Sequence, residues 1–320
     1  MSALGEFELI ERFFTRPARR ATLGVGDDCA LLLPTPGTTL AVSSDMLIEG
    51  RHFVSTVAPE RLGHKALAVN LSDLAACGAK PLAFTLALAL PSVDETFLDG
   101  FSRGLFALAE REGCELIGGD TTRGPLAISI TVLGELPAGS GLLRSGARPG
   151  DDIWVSGTLG DARLALEVFR GTVALDEPAF RAVRQAMETP SARIGLGMAL
   201  RGLATSAIDV SDGLVGDLGH ILERSGVGAV LEIDAVPRSA VLAAQPLELQ
   251  RLCLLTGGDD YELLFTAMPE RRDAVAAAAG NAAVNITRIG QVEGGHALRI
   301  VDRHGDAVTS AGHAFDHFRA

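Results

Sequence analysis

Five segments of this chain set aspartate against apolar sequence: Gly24-Val25-Gly26-Asp27-Asp28, Ser43-Ser44-Asp45, Asn70-Leu71-Ser72-Asp73, Gly118-Gly119-Asp120 and Asp209-Val210-Ser211-Asp212-Gly213. Adjacent like charges repel, and an apolar flank removes the water that would screen them, so such acids either face solvent or hold a cation. One segment alone decides nothing. Five of them, each closing an apolar run or a glycine turn, restrict the chain to folds that bring acids together.

Composition narrows what those acids meet. At 320 residues, 47% hydrophobic and 21% charged, the chain has room for two globular domains, and disorder is excluded as its main state. A formal net charge of -12 argues against a nucleic-acid surface, which needs clustered Lys and Arg. The lysines are Lys65 and Lys80, and neither lies in a Gly-x-x-x-x-Gly-Lys-Ser/Thr loop, so a phosphate ligand would need cations from outside the chain. Cys29, Cys77, Cys114 and Cys253 lie far apart with no Cys-x-x-Cys, which fits buried thiols better than a zinc or disulfide framework. The chain opens with no basic stretch leading into an apolar one, and no apolar run reaches the ~18 residues of a membrane span. A cytoplasmic protein with no membrane contact is expected.

Apolar spacing predicts a helix over 6–14, strands over 29–33 and 38–42, and a helix over 59–78 with a glycine stop. The second strand would deliver Ser43, Ser44 and Asp45 at its end. A strand over 83–90, a helix over 94–112, a strand over 114–117 leading into Gly118-Gly119-Asp120 and a strand over 127–136 complete a first domain, 1–137. Residues 138–150, rich in Gly, Ser and Pro, read as a linker. A second domain, 151–320, has predicted strands over 152–156, 206–210, 229–233, 261–266, 287–292 and 298–301, and helices over 161–169, 177–188, 192–203, 213–225 and 270–279. The mixture is α/β (α+β), with strand ends bearing the acids.

From Ala66 to Ala76 the helix over 59–78 is apolar nearly all round, the pattern of a buried helix. Asp73 on it therefore needs a partner: a buried arginine, a helix-end cap elsewhere or a cation. Ser211 and Asp212 precede a helix and suit ordinary N-caps, but a further aspartate, Asp209, in the same stretch exceeds what capping requires. Aspartates and serine hydroxyls without a His or Cys set favour a hard cation, Mg²⁺ above all, which prefers oxygen and shares its shell with phosphates and water. The order that follows is acid, metal, phosphate, as in enzymes that neutralise charge while a phosphoryl group moves.

Taken as whole motifs, Gly24-Val25-Gly26-Asp27-Asp28-Cys29-Ala30, Val69-Asn70-Leu71-Ser72-Asp73-Leu74-Ala75-Ala76, Leu116-Ile117-Gly118-Gly119-Asp120-Thr121-Thr122, Ile208-Asp209-Val210-Ser211-Asp212-Gly213-Leu214 and Gly257-Gly258-Asp259-Asp260-Tyr261-Glu262-Leu263 resemble the thiamine-monophosphate kinases, a family of the aminoimidazole ribonucleotide synthetase-like superfamily. The likeness runs from Gly5-Glu6-Phe7 to Asp316-His317-Phe318. It implies a two-domain fold of mixed sheets flanked by helices, whose first domain binds ATP and Mg²⁺ and forms a homodimer. It also implies Mg²⁺-assisted transfer of the γ-phosphoryl group of ATP to thiamine monophosphate, giving thiamine diphosphate and ADP, the last step of thiamine diphosphate biosynthesis. The acceptor is a phosphate monoester, mostly dianionic at neutral pH, so direct in-line transfer needs neither a covalent nucleophile nor a side-chain general base.

Residue by residue, the resemblance makes Asp28, Ser43, Ser44, Asp45, Asp73, Asp120, Asp209 and Asp212 ligands of several Mg²⁺ ions. It makes Gly119, Asp120, Arg144 and Ser211 contacts of ATP, and His52, Asp259 and Phe315 contacts of thiamine monophosphate. Ser44 stands where the family often has Thr, Asp259 where Glu is frequent, and Phe315 where Tyr or Trp is frequent. Selenophosphate synthesis, a neighbouring activity, calls for a reactive cysteine or selenocysteine near the N-terminus, and the first 28 residues hold no cysteine. A non-catalytic Mg²⁺-nucleotide sensor is the other reading; it would bind without turnover.

Overall fold

The computed structural model describes residues 4–308, in two units: residues up to Leu74 with Ala79–Gly139, and Ala75–Gly78 with Ser140 onward. In the first unit, α1 (Glu6–Leu9) runs into a π-helical turn, Ile10–Phe14, burying Leu9, Phe13 and Phe14. The apolar spacing reads there as one helix and carries no sign of the wider turn. β1 (Ala21–Leu23) pairs with β2 (Leu31–Leu32), and there follow β3 (Thr38–Ile48), α2 (Pro59–Cys77), β4 (Lys80–Leu90), α3 (Glu95–Glu112), β5 (Glu115–Arg123) and β6 (Ala127–Pro137). The sheet order is β3-β6-β4-β5, with β4 and β5 parallel and the other pairs antiparallel.

Local chemistry sets these elements. The Asp94 carboxylate accepts N–H bonds from Thr96 and Phe97 at the start of α3, and Gly113 in the left-handed region ends it. The two helices touch backbone to backbone: a Cβ on Gly63 would lie 2.0 Å from the Phe101 carbonyl oxygen, and one on Gly104 would lie 1.8 Å from that of Glu60. Leu67, Leu71, Leu98, Phe101 and Leu105 are buried around this contact. Each contributes about 1.5–3 kcal/mol by leaving water.

Two strands are longer than the sequence implies. Ser43, Ser44 and Asp45 lie in the middle of β3, not at its end, because the strand stays paired with β6 over 11 residues, from Thr38 opposite Pro137 to Ile48 opposite Ala127. Gly118, Gly119 and Asp120 likewise lie inside β5. Continued pairing, unbroken along β3 and with one register shift before Gly118 in β5, outweighs the low strand preference of Ser, Asp and Gly. One face of the sheet is buried through Leu86 and Leu88 of β4 and Ile128 and Ile130 of β6. The other carries the exposed side chains of Leu40, Val42, Met46 and Ile48 on β3.

The second unit contains β7 (Asp152–Ser156), α4 (Asp161–Phe169), α5 (Glu177–Glu188), α6 (Ile194–Ala199), β8 (Ala204–Asp209), α7 (Leu214–Ser225), β9 (Gly228–Glu232), α8 (Ala240–Ala243), α9 (Leu247–Thr256), β10 (Leu263–Ala267), α10 (Arg272–Asn281), β11 (Ile286–Glu293) and β12 (Leu298–Val301). Its sheet order is β12-β9-β11-β7-β10-β8, antiparallel except for β12 against β9. Helices pack on it around Ile153, Val155, Leu164, Leu218 and Leu264. Both sheets are mixed and flanked by helices, as the fold class requires. The helix expected over 192–203 is only the short α6, and α8 and α9 were not anticipated; Pro237 and Pro246 break that region into pieces too short for a clear period. Residues 140–150 form neither helix nor strand, yet the Leu143 carbonyl accepts the Ala207 N–H at 2.9 Å and the Ser225 hydroxyl accepts from Gly146 and Ala147. No helix among the described residues is long and apolar enough to cross a membrane.

Candidate functional site

In the first unit β3 faces α2, and two of the motifs meet there. Residues two apart on a strand share a face, and residues three apart on a helix sit one above the other, so Ser43 and Asp45 can meet Asp73 and Asn70. They do: the Ser43 hydroxyl donates to Asp73 Oδ2 at 2.5 Å, and the Asp45 N–H donates to Asn70 Oδ1 at 3.0 Å. Asn70 is itself fixed, buried and donating to the Ala66 carbonyl at 3.0 Å. Asp73 is only half-buried, unlike most of its helix, so the expectation of a buried acid is corrected. This carboxyl is left partly open, and a serine hydroxyl is one of its partners.

The other acids of this unit lie apart from that pair. Asp28 is exposed on the turn after β1, its N–H donating to the Asp27 carboxylate at 2.8 Å. Ser44 points to the opposite face of β3, where its hydroxyl meets that of Thr131 at 3.0 Å. Asp45 is in register with Ile130, Leu86 and Gly119, whereas Asp120 stands one row on, with Ala87, Ser129 and Met46. Three strand spacings separate β3 from β5, roughly 14 Å. Gly119 has φ 151, and a Cβ there would lie 1.9 Å from the Leu86 carbonyl oxygen, so the strand admits only bare backbone. His52 follows β3, and its Nδ1 accepts the Ile48 N–H at 3.0 Å, which leaves Nε2 as the protonated nitrogen of the neutral ring.

In the second unit, β8 ends in buried Asp209, and the chain turns through half-buried Ser211 and Asp212 into α7. The N-cap residue, Gly213, has no side chain with which to cap the helix. Asp217, inside α7 and buried, holds the turn instead: its Oδ2 accepts the N–H groups of Ser211, Asp212 and Gly213, each at 3.1 Å. Burial, with the Asp212 charge adding to it, pushes the Asp217 carboxyl up to about 7 against the pull of those three N–H groups. The sequence reading missed this residue. Its signal was an acid on the apolar face of a helix, between Leu214, Leu218 and Ile221.

The stretch Gly257–Glu262 runs beside that turn. The Asp259 N–H donates to the Ser211 carbonyl and the Tyr261 N–H to that of Val210, both at 2.8 Å. Asp259 and Tyr261 adopt φ 71 and 53, a conformation that non-glycine residues rarely hold and that aspartate tolerates better than most. Asp260 accepts the Gly160 N–H through both oxygens at 3.0 and 3.1 Å. Burial raises this carboxyl well above the usual range; the Gly160 N–H opposes the rise, while Glu262, Asp161 and Asp259 add to it. Glu262 takes two bonds from Arg193, through Nη2 and through Nε at 2.7 Å, and a third from the Ser156 hydroxyl at 2.5 Å. Asp260, Glu262 and Arg193 hold the segment that carries Asp259.

Arg144 is exposed, and Phe315 lies outside the described residues. Among the described residues no three His, Cys, Asp or Glu side chains stand close enough to hold an ion between them.

Two family models match the chain: AIR synthase related protein, N-terminal domain, over residues 26–136, and AIR synthase related protein, C-terminal domain, over residues 148–303. The thiamine-monophosphate kinase of Salmonella typhimurium is 47% identical to it over 324 residues, covering 99% of each chain. Among solved structures, thiamine-monophosphate kinase from Stenotrophomonas maltophilia K279a matches with a TM-score of 0.84 and 44% identity, over 90% of this chain and 92% of that one. AaThiL, complexed with AMPPCP and TMP, matches with a TM-score of 0.77 and 33% identity, over 89% of each chain.

Proposed function

The chain belongs to the AIR synthase related family and, within it, to the thiamine-monophosphate kinases, and from that membership we propose that it moves the γ-phosphoryl group of ATP onto the phosphate of thiamine monophosphate, releasing thiamine diphosphate and ADP. One observation carries this reading: the likeness to such kinases extends over nearly the whole chain, and a relative in that set holds an ATP analogue and TMP together.

The acids and hydroxyls of these motifs suit Mg²⁺. Asp28, Ser43, Ser44, Asp45, Asp73 and Asp120 in one unit, and Asp209 and Asp212 in the other, offer oxygen alone. Mg²⁺ keeps several waters and takes one or two carboxylates plus substrate phosphates, so oxygen ligands of this kind suit it without forming a closed cage. Several such ions, when bound, supply neutralisation between two anionic substrates that would otherwise repel. The chain's own groups do the positioning. Gly119 offers bare backbone to the nucleotide, with Asp120, Arg144 and Ser211 as further ATP contacts. His52 would donate to the acceptor through Nε2, Asp259 offers a carboxylate to the cationic thiazolium or the aminopyrimidine, and Phe315 offers a ring to stack on. Transfer is direct and in line, because the dianionic acceptor brings its own nucleophilic oxygen.

The protein works as a homodimer through the exposed apolar face of β3, and in the cytoplasm, where Cys29, Cys77, Cys114 and Cys253, with no Cys-x-x-Cys among them, suit a reducing compartment. Calorimetry with ATP and with thiamine monophosphate in Mg²⁺, followed by an assay for ADP, tests the activity. Both ligands should bind and ADP should form only when both are present. Binding without ADP would make the protein a nucleotide sensor.

A further inference from the structure

Asp217 lies next to the assigned chemistry without a role in it. It is 2% exposed, on the α7 face that carries Leu214, Leu218 and Ile221 into the core, where a carboxylate is costly unless its oxygens are occupied. Three consecutive N–H groups converge on one of them. A capping side chain ordinarily satisfies one or two such donors, and does so from outside the helix. Here the acceptor reaches back from within, and the donors belong to the turn that bears Ser211 and Asp212. The carbonyl side of the same stretch is gripped as well, by the amides of Asp259 and Tyr261. Gly213, at φ 116, has no space for a side chain, since a Cβ would stand 2.9 Å from the Gly257 carbonyl oxygen. The backbone of the turn is thus fixed on both edges, and Ser211 and Asp212 project from a rigid frame.

We propose that Asp217 is a positioning residue that sets Ser211 and Asp212 for ATP and Mg²⁺; the proposal rests on the roles given to those two residues above. Losing the acceptor releases three amides at once, so the turn relaxes and the nucleotide and metal side of the reaction weakens, while the thiamine-phosphate side changes less. Asp217→Asn keeps the shape and removes the charge, and Asp217→Ala removes both. In the ligand-free protein at about pH 8.5, where the carboxyl is charged, amide hydrogen exchange at 211–213 should quicken about tenfold in the Asn variant, the difference between a charged and a neutral acceptor. Half-activating Mg²⁺ and KM for ATP should rise by a similar factor, with KM for thiamine monophosphate within about threefold of the wild type. The Asn variant decides the matter even if the Ala variant fails to fold. Unchanged exchange together with an unchanged Mg²⁺ requirement overturns the proposal, and so does an equal loss on both substrates. Asp212→Asn, run alongside, separates the two claims: if it leaves the Mg²⁺ requirement untouched, the assignment of Asp212 falls, and the exchange result still judges whether Asp217 holds the turn.

Discussion

Asp73 shows at the residue scale how a charge and a hydrogen bond divide their work. Its carboxylate takes a bond from the Ser43 hydroxyl, and an amide of the same shape can accept that bond too. Asp73→Asn should therefore keep the Ser43 bond, weakened from charged to neutral at a cost of about 1 kcal/mol of stability. Activity should fall far more, on the order of a hundredfold, if the charge serves a cation. Melting curves and Mg²⁺ titrations of the rate check this; near-normal turnover with an unchanged Mg²⁺ requirement would show that Asp73 is no ligand. Asp259 poses the converse case. At φ 71 it occupies backbone that Asp accepts and Glu accepts less well. Asp259→Glu adds one methylene, and is expected to shift KM for thiamine monophosphate with KM for ATP unchanged. A shift confined to ATP would place Asp259 on the wrong substrate.

At the scale of elements, the close approach of β4 and β5 hangs on Gly119. Its added Cβ would collide with backbone, which cannot rotate away as a side chain can, and its φ also disfavours any other residue. Gly119→Ala should destabilise the first unit by roughly 2–4 kcal/mol, as overpacking and strain together do, measured as a lowered denaturant midpoint. A variant as stable as the wild type would mean that the strands part easily here. Much of this architecture was legible beforehand. Helices α2, α3, α4, α5 and α7 follow from apolar spacing and glycine stops, and β12 from its short apolar run. The placement of the acids was less so. Ser43-Ser44-Asp45 reads as a strand end because those residues favour turns, and only the long pairing with β6 keeps them in β3. The hold of Asp217, Asp260 and Glu262 on their neighbours was out of reach for a related reason: each is a long-range or backward bond that no local period records. A second element-level consequence is acid sensitivity. Burial alone would raise Asp152 and Glu167, but bonds from Arg272 and Arg288 to the first, and from Thr172, Arg163 and Arg170 to the second, outweigh it and hold both carboxyls low. A lowered folded pKa gives stability that is present above the unfolded values, near 4, and is lost as pH falls through the folded ones. The second unit should lose stability steadily below about pH 4, and Arg272→Met should flatten that fall. Buried Asp217 and Asp260, whose carboxyls are raised, act in the opposite sense above about pH 4, so denaturant midpoints between about pH 4 and pH 2 check the sign; a midpoint that rises over that range would refute it.

For the whole molecule, the open face of the first sheet asks for a partner. Val42 is 61% exposed and Met46 55%, with Leu40 and Ile48 beside them on alternate positions of one strand, and a run of that kind on an edge strand is an aggregation hazard unless something covers it. A second copy of the sheet answers the need, since a two-fold interface sets the same patch against itself and a stable one takes about 800 Å² from each partner. Charge placed at the centre of the patch separates this from a merely tolerated exposure. In a monomer Val42 meets only water, so Val42→Glu would change stability by no more than about 0.5 kcal/mol. In a dimer it puts two carboxylates into a dry interface, at a cost of several kcal/mol for each buried charge. Sedimentation at micromolar concentration should therefore find the wild type dimeric and Val42→Glu monomeric. A wild type that sediments as a monomer, or a variant that stays dimeric, removes this face from the interface.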